Sequence, residues 1–286
     1  DVANPRIPAS PKDITSEWLA HALKVGGVIR GSAVAFLEIE TIGEGQGISG
    51  DLVRLRPSYE TFDEAAPLSI IAKISGNDPV AAPNHWSAGA DPPELRFYRE
   101  LAGRTPLRTP RLYHGEVNVE CRTNILLLEG LSPSRVGNPV EGCSDEEEEF
   151  AVASLARFHA QWWGDPELES ADWPDSLAVV GARAGRFYRE RADRFIDKFG
   201  NDLSDDMKEL VVELAAKIDF IHERLSRPPM TMIHGDFQLQ NLFFQESEKG
   251  LEMTVIDWKE ISLGRGPYDL AVFFGCYARN TGKSEI

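Results

Sequence analysis

The stretch that most restricts the fold is residues 230–258, MTMIHGDFQLQNLFFQESEKGLEMTVIDW. Three short apolar, strand-like pieces run through it, around Met230–Ile233, Leu242–Phe244 and Met253–Ile256. His234 and Asp236 follow the first piece, Asn241 opens the second, and Asp257 ends the third. A lone HGD has purely structural readings. HGD with an Asn five residues after the Asp, and then a strand that ends in IDW, is a far more specific combination.

The rest of the chain divides by periodicity. Thr15 to Val25 reads as an amphipathic helix with Trp18, Leu19, Ala22 and Leu23 on one face, stopped by Gly26-Gly27. Ala35–Ile42, Asp51–Arg56, Leu68–Ile74, Arg111–Val117 and Asn124–Glu129 are strand-like, Glu94–Leu101 is a short helix, and 79–93 is a loop. Beyond that point helices dominate. Ser144-Asp145 caps one that runs through Glu146–Glu149, where acids in the first turn suit the helix dipole. Arg183–Phe199 and Asp205–Leu225 follow. This predicts an α+β fold of two lobes, a β-rich one over 1–128 and a mainly helical one over 129–286.

Charge and cysteines narrow the classes. Thirty Lys and Arg stand against 46 Asp and Glu, a formal charge of −16, which argues against nucleic acid and anionic membranes as partners. No apolar run approaches the ~20 residues of a membrane helix. Three scattered cysteines, an odd number with no zinc spacing, suit a reducing cytoplasm. The chain starts without Met and reads as a trimmed piece.

GEGQGISG carries GxGxxG at Gly45, Gly47 and Gly50, but a β-rich segment follows it and not a helix. Strand, glycine-rich loop, strand is the form of a loop that covers phosphates in kinases, where backbone N–H groups approach phosphate oxygens unobstructed. Alone, it also reads as a flexible hairpin. Lys73 sits in the apolar strand LSIIAKIS, either at an exposed alternate position or held in a cleft by a carboxylate.

HGDFQLQN resembles the H-x-D-x-x-x-x-N catalytic loop of kinases. With IDW and GRGPYDLAVFF, the chain is similar to the aminoglycoside phosphotransferase and choline kinase-like superfamily over about residues 40 to 278. GEGQGISGDLVRLR, ELRFYRELA, LLLEGLSPSRVGN and LARFHAQWWGDP look most like the ecdysteroid kinase-like branch and its bacterial relatives. The resemblance implies an ATP- and Mg²⁺-dependent phosphotransferase that acts on a hydroxyl of a small molecule. Asp236 would orient the hydroxyl and accept its proton, and Asn241 and Asp257 would hold Mg²⁺. Lys73 would grip the α/β phosphates, paired with Glu94, for which Glu100 is the rival. The backbone from Leu128 to Gly130 would bind adenine, and Asp269 would brace the catalytic loop. His234 is expected to support that loop, while His159, Trp162 and Trp163 are expected in the core. Two departures stand out: Gly130 replaces an acid, and the chain ends at Ile286 where relatives continue, so the second lobe is expected to be cut short. The alternatives are a silent nucleotide-binding protein of kinase fold and a protein kinase. The short span from Asp257 to Asp269, with no peptide-docking loop, argues against the latter. The acidic balance leans towards a cationic acceptor, and the branch resemblance towards a steroid-like or other apolar alcohol.

Overall fold

The computed structural model describes residues 6–42, 51–61, 64–75, 91–118 and 123–276. Gly45, Gly47 and Gly50 lie outside the described residues, as does most of the loop expected over 79–93.

Thr15 caps helix α1 (Ser16–Val25), its hydroxyl oxygen accepting from the Trp18 N–H at 3.1 Å. Five strands follow: β1 (Val34–Thr41), β2 (Asp51–Tyr59), β3 (Ile70–Ser75), β4 (Leu112–Asn118) and β5 (Thr123–Glu129). They form one antiparallel sheet in the order β1-β2-β3-β5-β4. Between β3 and β4 comes α2 (Pro93–Arg96), which winds on through a π-helical turn over Phe97–Leu101.

Strand alternation sorts the sheet's two faces. Ala72 and Ile74 enter the core that Trp18, Leu19 and Leu23 of α1 complete, so Lys73 emerges on the opposite face. β5 is buried along a continuous run from Ile125 to Leu128 because both its faces are covered. β2 continues to Tyr59, beyond the end expected at Arg56. Pro57 is tolerated because pairing with β3 stops at Leu55, so the missing N–H forfeits no bond to β3.

The later elements are β6 (Arg135–Val136), α3 (Asp145–Gln161), α4 (Pro166–Glu169), α5 (Leu177–Phe199), α6 (Asp205–Leu225), β7 (Thr231–Ile233), β8 (Leu242–Ser247), β9 (Gly250–Val255), β10 (Ser262–Gly264) and α7 (Pro267–Gly275). The β-sheet N-terminal region and helical C-terminal region agree with the α+β fold read from the sequence. β7 pairs antiparallel with β10, and β6, β8 and β9 make a three-stranded sheet. At the start of α3 the Ser144 hydroxyl accepts from the Glu147 N–H, and the Glu147 carboxylate accepts from the Ser144 N–H, a reciprocal cap. The chain divides into two compact units. Unit 1 holds Asp1–Arg104, Arg108–Arg135 and Phe243–Lys259; unit 2 holds Thr105–Leu107, Val136–Leu242 and Glu260–Ile286. No helix among the described residues is long and apolar enough to cross a membrane.

Helix α5 begins at Leu177, six residues before the Arg183 expected from periodicity. Gly181 and Gly185 disguise its first turns, since glycine is a poor helix former. Packing explains them. A Cβ on Gly181 would fall 2.2 Å from the His222 ring, and one on Gly185 would fall 2.2 Å from the Asp219 carboxylate. The two glycines are the surface on which α6 lies. Gly185→Leu is therefore expected to lower stability by about 1–3 kcal/mol despite its better helix propensity. Gly275→Ala, at an open position ending α7, should leave the melting temperature unchanged or higher. Thermal unfolding of the two variants beside the wild type checks this.

Candidate active site

In unit 1 the β3 lysine meets two acids from distant parts of the chain. Lys73 Nζ lies 2.9 and 2.7 Å from the two carboxylate oxygens of Glu94, in the first turn of α2, and 2.5 Å from Asp257 Oδ1. Glu100 pairs instead with Arg96, at 3.0 Å. Asp257 follows β9 with φ 65°, in the left-handed region that Asp enters more readily than most residues. Its second oxygen, Oδ2, takes Lys259 Nζ at 2.8 Å. Next to it Trp258 is fully buried, stacked on Phe97 with ring centroids 3.9 Å apart, and its indole N–H donates to the Val255 carbonyl. The turn that carries Asp257 is thus pinned to the helix that carries Glu94.

Burial opposes charge on all three groups: it pulls the Lys73 ammonium down and pushes both carboxyls up. Pairing wins at Lys73, which Glu94 and Asp257 hold above the usual lysine range. Pairing also wins at Asp257, which Lys73 and Lys259 hold well below the usual carboxylate range. At Glu94 burial dominates and the Lys73 charge offsets only part of the rise.

In the same unit Leu128 is an inner position of β5, between Ile71 of β3 and Leu112 of β4. The Gly130 N–H donates to the Ser69 carbonyl at 3.1 Å, and a Cβ there would fall 2.3 Å from Ser69 Oγ. A side chain at this position would have no room.

In unit 2 the strand β7 runs directly into His234-Gly235-Asp236. Asp269, fully buried near the start of α7, accepts from the His234 and Gly235 N–H groups, each at 2.9 Å, and contacts His159 Nε2 of α3 at 2.9 Å. Gly235 has φ 82°, and a Cβ would fall 2.2 Å from the Glu260 carbonyl, so only glycine fits. His234 Nδ1 accepts from the Asp236 N–H at 3.2 Å. Phe237 is fully buried against His234 and Phe273.

The Asp236 carboxylate is held at both oxygens. Gln238 Nε2 donates to Oδ1 at 2.7 Å, and Asn241 Nδ2 donates to Oδ2 at 3.0 Å and to the Asp236 carbonyl at 2.9 Å. Both Asn241 bonds use its amide nitrogen, which leaves the amide oxygen as the atom to offer a ligand. Of the residues singled out in the sequence, Lys73, Glu94 and Asp257 come together in unit 1, and Asp236 and Asn241 in unit 2. Three contributors carry no sequence signal of their own: Lys259, Gln238 and the bond from His159 to Asp269. Of the tryptophan pair expected in the core, Trp162 is buried and Trp163 is 54% exposed.

An anion this deeply buried depends on its donors. Asp269→Ala removes the acceptor for two backbone N–H groups and for His159 and is expected to cost about 3 kcal/mol or more. Asp236→Ala, at a partly exposed carboxylate, should cost far less. Chemical denaturation of both variants measures the difference.

A family model described as the phosphotransferase enzyme family matches residues 70–284. No curated protein matches the chain. Among solved structures, the ethanolamine kinase of Plasmodium vivax is 13% identical, with a TM-score of 0.57 over 90% of this chain and 64% of that one. APH(2″)-IIia in complex with GDP and kanamycin is 13% identical, with a TM-score of 0.53 over 91% of this chain and 79% of that one. A GDP complex of aminoglycoside 2′-phosphotransferase IIIa is 13% identical, with a TM-score of 0.51 over 92% and 78%. At such identities the likeness is one of fold.

Proposed function

The chain belongs to the phosphotransferase enzyme family, and on that premise we propose that it moves the γ-phosphoryl group of ATP, with Mg²⁺, to a hydroxyl of a small molecule in the cytoplasm. The observation that carries the reading is the Lys73–Glu94–Asp257 cluster, a half-buried cation shared by two acids on one face of a sheet. Lys73 would hold the α/β phosphates with Glu94 keeping it in place, and the segment with Gly45, Gly47 and Gly50 would cover them.

The donor set suits Mg²⁺, which takes hard oxygen ligands and often only one or two from protein. Asp257 is held ionised, and Asn241 has its amide nitrogen tied to Asp236, so each would present oxygen to the ion. Bound there, Mg²⁺ would neutralise charge on the phosphate oxygens. The base would be read at the end of β5. The backbone from Leu128 to Gly130 would supply its contacts, with the Gly130 N–H already engaged by the Ser69 carbonyl.

Asp236 would receive the acceptor hydroxyl. The bond from the acceptor oxygen to Pγ forms, the Pγ–O bond to ADP breaks, and the hydroxyl proton passes to the carboxylate. Gln238 and Asn241 fix the plane of that carboxylate, and each oxygen keeps a lone pair for the incoming hydroxyl. The formal charge of −16 favours a cationic amino alcohol as acceptor, with apolar alcohols as the second class to screen.

The test combines binding and turnover. Mg-ATP at about 100 times its dissociation constant should stabilise the wild type by ~2.7 kcal/mol. Asp257→Ala should lose the metal-dependent part of that gain. In an ADP-release screen over hydroxyl compounds, Asp236→Ala should keep the nucleotide-induced shift and lose about 10²–10⁴-fold in kcat. A wild type that Mg-ATP does not stabilise overturns the proposal.

A further inference from the structure

We propose that Lys259 is a tethered counter-ion of Asp257, which must leave the carboxylate before a divalent metal takes it, and which thereby sets the metal concentration the chain requires. The inference rests on the reading of Asp257 as a metal-binding acid.

Both oxygens of Asp257 already carry an ammonium: Lys73 on Oδ1 at 2.5 Å and Lys259 on Oδ2 at 2.8 Å. A divalent ion sits about 2.1 Å from a carboxylate oxygen. An ammonium on that same oxygen would be within a few ångströms of the ion, and two cations so close repel strongly. One lysine has to yield. Lys73 is the harder to move, because it makes two bonds to Glu94 and its side chain is 21% exposed. The Lys259 side chain is 37% exposed and rides on the single 3-10 turn Trp258–Glu260. Trp258 anchors that turn, fully buried against Phe97, so a flexible side chain moves while the backbone that holds Asp257 stays in place.

The consequence has a definite sign. Removing the Lys259 charge takes an attraction from the metal-free state and a repulsion from the metal-bound state. Both changes favour the metal. An ordinary surface ion pair would change stability alone; this one changes the midpoint of a metal titration.

The experiment titrates Mn²⁺ into the protein at a fixed excess of ADP and follows the melting temperature, with the free-Mn²⁺ EPR signal as a second readout. In Lys259→Met the Mn²⁺ midpoint should fall about two- to fivefold, the effect of a partly exposed ion pair. Lys259→Gln carries the same expectation and serves if the Met variant does not fold. Lys259→Arg keeps the cation and should keep the wild-type midpoint. A midpoint that stays or rises in both neutral variants overturns the inference, since Lys259 then does not compete with the metal. No Mn²⁺-dependent shift in the wild type, or a wild-type midpoint in Asp257→Asn, means that Asp257 is not a metal ligand, and the reading beneath the inference falls with it.

Discussion

A half-buried ammonium organises unit 1. Strand alternation puts Ala72 and Ile74 into the α1 core and leaves Lys73 on the other face of the sheet, where a lone positive charge could not persist without a counter-charge. Two partners supply it. Glu94 comes from α2, 21 positions on, and Asp257 from the end of β9, 184 positions on. The price includes a residue held at φ 65°, of the order of 1–3 kcal/mol. Buried ion pairs seldom outdo apolar packing as a source of stability. Charges and strain kept together in this way are suited to binding a charged ligand, and the Phe97–Trp258 stack couples the two acids mechanically.

Unit 2 solves the converse problem. There the buried charge is an anion, Asp269, surrounded by the His234 and Gly235 N–H groups and by His159. Its bonds dictate the course of the loop after β7, and so the place of Asp236. The left-handed Gly235, with the Glu260 carbonyl against it, makes the tight passage possible. His159 packs like a core residue, as its apolar neighbours suggest, yet its ring nitrogen contacts the carboxylate that holds the loop. Core and site share these atoms.

Much of this was legible in one dimension. The caps at Thr15 and Ser144, the apolar face of α1, the strands of the first sheet and the span of α6 all follow from interactions between residues a few positions apart. The onset of α5 was not legible, because Gly181 and Gly185 weaken the local helix signal for the sake of contact with α6. β2 outruns the end expected at Arg56 because the cost of a proline depends on whether a neighbouring strand needs its N–H. Lys259 and Gln238 lie close in sequence to the residues they touch, but the direction of each side chain is set by a turn that spacing alone does not reveal.

By itself the sequence determined which residue types stand at which spacing and most of which segments are helix or strand, because side-chain type and periodicity act locally. The tertiary structure decided which charges meet. Lys73 has acids within reach of several plausible turns, and only the packed helix directs Glu94 to it while Arg96 takes Glu100. Only the return of Phe243–Lys259 to the first unit brings Asp257 to the same ammonium. Protonation follows from that closure: pairing holds Asp257 ionised against its burial, while burial leaves Glu94 pushed upward, and both depend on neighbours remote in the chain.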